Sequence, residues 1–435
     1  MIPMLPLLLL VQLPSSGGTN QPIAITHVTA IDGRDSLPRH DVTVIVRDRR
    51  IVAVGPASTM TVPAGARTLD GRGGFLFPGL WDMHVHTDVP GAREVLRLFV
   101  VNGVTGVRDM GGDWAALTAL RNLVRRGASP GPRLVLSGPY LEGNPQPVPH
   151  FRIRNPEDAV AAVDSLARLG ADLVKLHTGL TRDAFLAALR QARLRGLPTA
   201  AHVPRVVGAV MAADSGLGSL EHLIGIPLPC TAAESLALVP RYPVQAALGR
   251  CSSESLTTLI AALVRNRTRV VPTFSAAYEI ALWPGRRVPG DEFAAHLPDT
   301  LRRFVAQFFP MPEVPAGADS VGRAVFRKRL AQVGHLYRAG VIMLTGTDAP
   351  LRNSPPGFGL HAELEWFVHA GLSPWEALRA ATLEPARVLG LADSLGTIEP
   401  GKLADLVLVS RDPLRDIRNT RSIRAVIADG RLVVP

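Results

Sequence analysis

The sequence predicts an α/β protein in which a TIM-like (β/α)8 barrel is combined with a small composite β-sheet domain formed by both chain ends. Through the middle of the 435-residue chain, apolar runs typical of strands alternate with amphipathic helical patterns, which indicates a parallel α/β sheet. Eight such units favour a closed barrel over an open sheet, and a barrel uses about 250 residues or more as one domain. At both ends, short β-branched runs replace this alternation and predict the additional sheet.

Both ends of the chain have the same sequence pattern, short runs of β-branched residues separated by turns. β-branched runs separated by turns, such as VTVIV at residues 42–46, fill the first part of the chain. The same style returns near the C-terminus, at residues 406–409 and 426–433. We therefore expect residues 21–76 and 394–435 to form one composite β-sheet domain.

The middle of the chain, residues 77–393, is expected to form the barrel domain. Stretches such as residues 156–169 and 182–194 place apolar side chains at helical spacing. Long gaps after the sixth and seventh strands predict inserted helices that could cover the mouth of the barrel. The eight candidate strands are expected to end near His86, Asp109, Gly138, His177, His202, His222, Thr273 and Asp348.

Residues 1–20 are expected to form a leader or signal-like segment. The apolar run from Leu5 to Leu13 is shorter than the roughly 20 residues that span a bilayer, but it suits the core of a signal peptide. We expect a periplasmic or secreted protein, with a cytoplasmic one as the alternative, and no stable membrane span. In an exported protein Cys230 and Cys251 could form a disulfide; two separate buried thiols are the alternative.

Composition excludes several classes of protein. With 47% hydrophobic and 19% charged residues the chain can bury a large core, which excludes intrinsic disorder. The net charge of +10 is spread along the chain and aromatic residues make up only 5%, so we expect no nucleic-acid partner. The positive charge is nearly all arginine, since lysine occurs only at Lys175, Lys328 and Lys402.

Potential metal ligands occur at the predicted strand ends, where barrel enzymes carry their active sites. His84 and His86 lie two residues apart on the first strand, so both side chains face the same side and could bind one ion. His202, His222 and Asp348 follow the fifth, sixth and eighth strands. Each alone is more typical of an ordinary buried polar residue, but the barrel would bring all these ends to one face.

Lys175 interrupts an apolar strand, the fourth. Burying an ammonium group costs several kcal/mol unless it is paired, and burial lowers the pKa of a lysine. The resulting free amine can add carbon dioxide and become a carbamate with two oxygen donors. A salt-bridged lysine is the alternative. Together with the imidazoles and the carboxylate, this donor set suits zinc, with manganese, cobalt or iron as alternatives.

Several motifs resemble the amidohydrolase superfamily, over nearly the whole chain from about Ile23 to the C-terminus. They are FPGLWDMHVHT at residues 77–87, GVTGVRD at 103–109 and, near the C-terminus, GTIEPGKLADL at 396–406. Within the superfamily the C-terminal part is similar to the imidazolonepropionase-like group, which includes Xaa-Pro dipeptidases with a carboxylated lysine.

The resemblance implies a binuclear metal centre. His84, His86 and Asp348 would bind the first ion. His202 and His222 would bind the second ion. Lys175, as a carbamate, would bridge both ions. These roles imply two divalent metal ions, most simply zinc, with carbon dioxide held as the lysine carbamate.

The implied activity is hydrolysis of an amide (C–N) bond. Two cations would share a hydroxide that attacks the carbonyl group, while Asp348 would act as general base and then general acid. Dipeptides or N-acyl amino acids are the expected substrates. A deaminase or cyclic-amide hydrolase of the imidazolonepropionase type, and a lactonase or esterase on the same binuclear site, are the alternatives.

Three further residues are candidates for binding a small-molecule substrate. His177 follows Lys175 by two residues and shares its face, Tyr140 follows the third strand, and Arg205 follows His202 by three residues. An arginine there could bind a carboxylate through two hydrogen bonds. An ordinary structural role is the alternative for each, and the sequence leaves open whether the protein forms a homo-oligomer.

Overall fold

A computed structural model describes residues 21–228, 256–276, 297–308, 318–351 and 353–433. The expected leader at residues 1–20 lies outside the described residues. So do Cys230 and Cys251, whose pairing therefore stays an open question.

One mixed sheet draws its strands from both ends of the chain. The described strands follow the order β17-β16-β15-β5-β1-β2-β3, and β4 pairs in parallel with β1. The link between the two chain ends is the antiparallel pairing of β15 with β5, in which Leu406 lies opposite Pro78. The bounds are β1 Ile23–Ala30, β2 Arg39–Arg47, β3 Arg50–Pro56, β4 Arg67–Asp70, β5 Phe75–Pro78, β15 Leu406–Val409, β16 Ile423–Ala428 and β17 Arg431–Val433.

This sheet has its own hydrophobic core. β-branched and leucine side chains from both chain ends, including Ile25, Val44 and Leu406, are almost completely buried against one another. The exact domain boundaries, at residues 76 and 394, stay a prediction.

The central strands are all parallel. One group has the order β6-β7-β8, and a second group has the order β10-β9-β11-β12-β13-β14. The bounds are β6 Leu80–Val85, β7 Val104–Asp109, β8 Arg133–Leu136, β9 Tyr140–Glu142, β10 His150–Arg152, β11 Val174–Leu176, β12 Thr199–Ala201, β13 Ser219–Glu221 and β14 Arg269–Val271.

Short contacts connect these two groups of strands. The Asp172 N–H donates to the Leu136 carbonyl at 2.9 Å, between β8 and the segment that leads into β11. Residues 342–349, expected as the eighth strand, make only isolated parallel bridges, one to β14 at Val270 and one to β6 at Val85. The α/β class is confirmed, whereas closure of all these strands into one barrel stays a prediction.

Helices lie between the strands, and their caps can be read from the sequence. Asn155 accepts a hydrogen bond from the Asp158 N–H at the start of α3, and Gly170 ends the helix in the left-handed region. The bounds are α1 Ala92–Val101, α2 Trp114–Arg125, α3 Pro156–Leu169, α4 Arg182–Leu194, α5 Ala209–Asp214, α6 Leu256–Asn266, α7 Asp299–Phe308, α8 Ala318–Arg338, α9 Phe358–His369, α10 Pro374–Ala380 and α11 Leu383–Val388.

Helices α6, α7 and α8 fall within the two long gaps that follow the sixth and seventh predicted strands. Among the described helices, none combines the length and hydropathy needed to cross a membrane.

Candidate metal centre

Four imidazole rings come together where the central strands end. The ring of His84, on β6, lies 5.7 Å from that of His86, 4.4 Å from that of His222 and 6.3 Å from that of His202. The rings of His202 and His222 are 4.6 Å apart. The Asp348 carboxylate approaches the same cluster, with Oδ1 at 3.4 Å from His84 Nε2 and 3.3 Å from His86 Nε2.

The donor atoms form two overlapping groups. His84, His202 and His222 offer nitrogens within 4.8 Å of one another, and His84, His86 and Asp348 do the same with two nitrogens and an oxygen. Three donors at such spacing match what a divalent ion binds in proteins. The structure thus brings together the four histidines and the aspartate predicted as ligands, although they are more than two hundred positions apart at the extremes.

Several of these donor atoms lack hydrogen-bond partners. Within the described part of the chain, His84 Nε2, Lys175 Nζ and both ring nitrogens of His202 are buried without one. Leaving a buried polar atom unpaired costs about 1–3 kcal/mol. An imidazole lone pair is also a preferred ligand for zinc, so the residues present fit a divalent metal ion.

Hydrogen bonds fix which nitrogen of His86 and His222 carries the hydrogen. The Gly111 carbonyl, 3.2 Å from His86 Nδ1, can only accept. Thr273 Oγ1 donates to the Pro272 carbonyl at 2.8 Å, so it accepts from His222 Nδ1 at 2.6 Å. In the neutral form of either ring the lone pair is therefore left on Nε2.

Asp348 is held by a buried carboxylate that precedes the first histidine. Asp82 accepts from the Thr347 N–H at 3.0 Å and from the Thr347 hydroxyl at 2.6 Å. The Asp348 N–H donates to the His84 carbonyl at 2.7 Å. Burial raises the pKa of Asp82 to about 7, although the bonds from Thr347 lower it. These contacts tie the end of the eighth segment to β6.

Burial also sets the protonation of the cluster. It lowers the pKa of His84 and His202 well below the ordinary value, and that of His222 to about 3. Burial lowers the pKa of Lys175 to about 8, against the opposing charges of Glu221 and Asp348. These three imidazoles are therefore neutral and keep their lone pairs. Burial alone would lower the pKa of His86 as well, but its hydrogen bond to Asp348 and the charge of that carboxylate raise it. The neutral amine of Lys175 is accessible near neutral pH.

Two of the three candidate substrate contacts lie beside the cluster. The His177 ring is 4.2 Å from that of His202, and the Tyr140 ring is 5.1 Å from that of His177. Arg205 is exposed in the turn after β12 and forms no hydrogen bond or ion pair within the described ranges. Sequence reasoning missed Glu142, a buried carboxylate whose Oε2 lies 2.6 Å from His177 Nδ1.

Comparison with known proteins identifies the family. The model described as "Amidohydrolase family" matches residues 75–433. The chain belongs to the amidohydrolase family. This confirms the resemblance drawn from the sequence motifs, and membership makes the protein a hydrolase of C–N bonds that acts on a small molecule.

Individual relatives cover nearly the whole amidohydrolase chain. The imidazolonepropionase of Ralstonia nicotianae is 27% identical over 403 residues, which is 90% of this chain and 92% of that protein. The imidazolonepropionase of Mesorhizobium japonicum is 27% identical over 377 residues, 84% of this chain and 85% of its own.

Solved structures are similar in fold. A Xaa-Pro dipeptidase with bound methionine has a TM-score of 0.70 at 21% identity, covering 95% of this chain and 100% of its own. Phenylurea hydrolase B has a TM-score of 0.70 at 23% identity, covering 95% and 97%. At these identities the likeness shows that the amidohydrolase chain shares their fold.

Proposed function

We propose that this amidohydrolase is a binuclear metal-dependent enzyme that hydrolyses an amide bond of dipeptides or N-acyl amino acids. The proposal rests on one observation: four imidazoles and one carboxylate lie close together. Several of the buried nitrogens at this site have no hydrogen-bond partner among the described residues. The structural likeness to a Xaa-Pro dipeptidase supports the choice of substrate class. A closed eight-stranded barrel, with the centre at its mouth, is part of the same proposal.

Five of the six proposed donors divide between two ions, and the sixth, Lys175, would bridge them. His84, His86 and Asp348 would hold the first ion, for which we propose zinc. His202 and His222 would hold the second. When bound, such ions lower the pKa of water toward neutrality and polarise a carbonyl oxygen.

Lys175 is proposed to supply the bridge between the two ions as a carbamate. Its amine is buried, lies in the field of Glu221 and Asp348, and has no hydrogen-bond partner among the described residues. Because burial lowers the pKa of Lys175 to about 8, the neutral amine that reacts with carbon dioxide is accessible. The carbamate would add two oxygen donors and a negative charge to a site rich in neutral imidazoles.

Asp348 is proposed to move the proton. Burial alone would raise its pKa, but the hydrogen bond from His86 and the charges of His86 and Lys175 lower it, so the carboxylate is ionised. An ionised carboxylate at this position can accept the proton of the attacking water and return it to the leaving amine.

We propose His177 and Tyr140 as substrate contacts. The His177 ring lies beside that of His202, and the Tyr140 ring lies beside that of His177, at the edge of the cluster. Glu142 holds the Nδ1 side of His177, so its Nε2 is the atom left to meet a substrate. Arg205, whose side chain is exposed, stays a prediction as the partner of a substrate carboxylate.

Metal analysis and a substrate panel test the proposal. We expect two ions per chain, turnover of a dipeptide or an N-acyl amino acid, and loss of turnover after the metal is removed by a chelator. Lys175→Arg cannot form a carbamate, so it should lose the second ion and most of its activity. Full turnover by the metal-stripped enzyme, or two ions bound to Lys175→Arg, would contradict the proposal.

A cyclic-amide hydrolase is the second candidate. The long alignments with imidazolonepropionases favour it. One ion per chain, with turnover of a cyclic amide and none of the dipeptides, would select this alternative. Lactones and esters belong in the same panel, because the same donor set could serve their hydrolysis.

A further inference from the structure

A buried ion-pair network lies directly against His84. Arg108, near the end of β7, donates from Nη2 to Glu221 Oε1 at 2.9 Å and from Nη1 to Ser219 Oγ at 3.0 Å. Ser219 Oγ in turn donates to Glu221 Oε1 at 2.5 Å. Arg108 also donates from Nε to the Met83 carbonyl at 2.7 Å. Arg108 is 3% exposed and Glu221 is fully buried, so the network is shielded from water.

The two carboxylate oxygens of Glu221 have different hydrogen-bond partners. Oε1 accepts from both Arg108 and Ser219, whereas Oε2 lies 2.7 Å from His84 Nδ1. A carboxylate paired with arginine is an acceptor only, so the hydrogen of the imidazole lies on Nδ1. The lone pair of His84 is then on Nε2, the atom that faces Asp348 at 3.4 Å.

We propose that Glu221 and Arg108 are positioning residues that hold His84 in the tautomer able to bind a metal ion. A buried carboxylate is tolerated only when it is paired, and Arg108 supplies that pair. Arg108 and Ser219 then fix the rotation of the carboxylate, and Oε2 fixes the ring. The inference rests on the proposed function, because it assigns His84 Nε2 to the metal centre.

The isosteric change Glu221→Gln separates this role from a merely structural one. The position of Oε1 faces two donors, so the amide oxygen will take it and the amide NH2 group will face His84. An NH2 group donates, so His84 Nδ1 must accept and the ring hydrogen must move to Nε2. The variant should thus place a hydrogen where the metal would bind, with almost no change in volume.

Two measurements on the full-length protein test the inference. Nitrogen-15 NMR of the histidine rings, in chelator-treated protein, reports which nitrogen of His84 carries the hydrogen. Competition with a chromophoric chelator reports the affinity for zinc. We expect hydrogen on Nδ1 in the wild type, hydrogen on Nε2 in Glu221→Gln, and zinc affinity about 10–100-fold lower in the variant.

Glu365→Gln is the matched control, because the Glu365 carboxylate pairs with Arg421 and that pair includes no histidine. The control should keep wild-type zinc affinity. Wild-type zinc affinity in a folded Glu221→Gln variant, or hydrogen on Nε2 of His84 in the wild type, would overturn the inference. The wild-type spectrum decides even when the variant does not fold. A wild type that binds no zinc but shows hydrogen on Nδ1 would contradict the proposed function while leaving the tautomer assignment standing.

Discussion

Replacing Lys175 with methionine should make the metal-free protein more stable at neutral pH. The Lys175 side chain is 2% exposed, and its amine has no hydrogen-bond partner among the described residues. Methionine has a similar length and no charge, so it fills the same space without a buried ammonium group. This gain is expected in the chelator-treated protein only, in which no ion or carbamate compensates the amine.

The size of the effect follows from the pKa of Lys175. Burial lowers it from an ordinary value of 10.5 to about 8. One pKa unit corresponds to about 1.4 kcal/mol, so the buried ammonium costs about 3 kcal/mol at pH 7. Between pH 8 and 10.5 the unfolded state binds more protons than the native state, so wild-type stability rises with pH in this window. The advantage of the variant should shrink to about 1 kcal/mol at pH 10.

Urea unfolding of chelator-treated wild type and Lys175→Met, at pH 7 and at pH 10, measures this difference. Lys402→Met is the control, because the Lys402 amine donates to Thr397 Oγ1 at 2.5 Å and to the Ala392 carbonyl at 2.8 Å. Losing these bonds should destabilise the protein by about 1–3 kcal/mol. A Lys175→Met variant that is no more stable than wild type at pH 7, or whose advantage does not fall with rising pH, would refute the reasoning.

Three further outcomes follow from the site. Chelation should lower the melting temperature and zinc should restore it, since a ligand at 100 times its Kd stabilises by about 2.7 kcal/mol; an unchanged melting curve would count against a metal centre. Gly179→Ala should cost about 1–3 kcal/mol in urea unfolding, because the added methyl group would overlap the Glu142 carboxylate that holds His177; unchanged stability would contradict this packing. Asp348→Asn should lower kcat about 100-fold or more while circular dichroism stays unchanged, and near-normal kcat would exclude Asp348 as the base.

The residues of the candidate site could be predicted because they all lie at or near the carboxyl ends of predicted parallel strands. His84 lies on β6, and His86, His202 and His222 each follow a strand directly. In an α/β barrel the carboxyl ends of the parallel strands lie on one face, so residues there can meet even when they are far apart in sequence and, like those of β6 and β13, belong to different groups of strands. The ring separations of 4.4–6.3 Å from His84 agree with that expectation.

The contacts that orient those residues could not be predicted. Arg108 and Glu221 are 113 residues apart, and Glu142 and His177 are 35 residues apart. Arg108, Glu142 and Glu221 lie in short strands and His177 directly follows one. From the sequence, each shows only that a polar residue interrupts or ends an apolar run. Which charge meets which depends on strand register and on the direction of each side chain, and neither is encoded locally.

The backbone conformation of some site residues also depends on tertiary contacts that the local sequence does not predict. His222, Thr273 and Asp348 have φ values of 58°, 49° and 59°, in the left-handed region that L-residues seldom adopt. A β-branched threonine is especially disfavoured there, yet Thr273 is the residue that accepts from His222 Nδ1. Such conformations persist only where surrounding contacts determine them, as the Asp348 N–H bond to the His84 carbonyl does. Positive φ values also occur at six other non-glycine residues among those described, so strain is not confined to the site. At the site it falls on two proposed ligands and on a residue that orients one of them, which is expected if the chain is folded to direct these side chains inward before any ion binds.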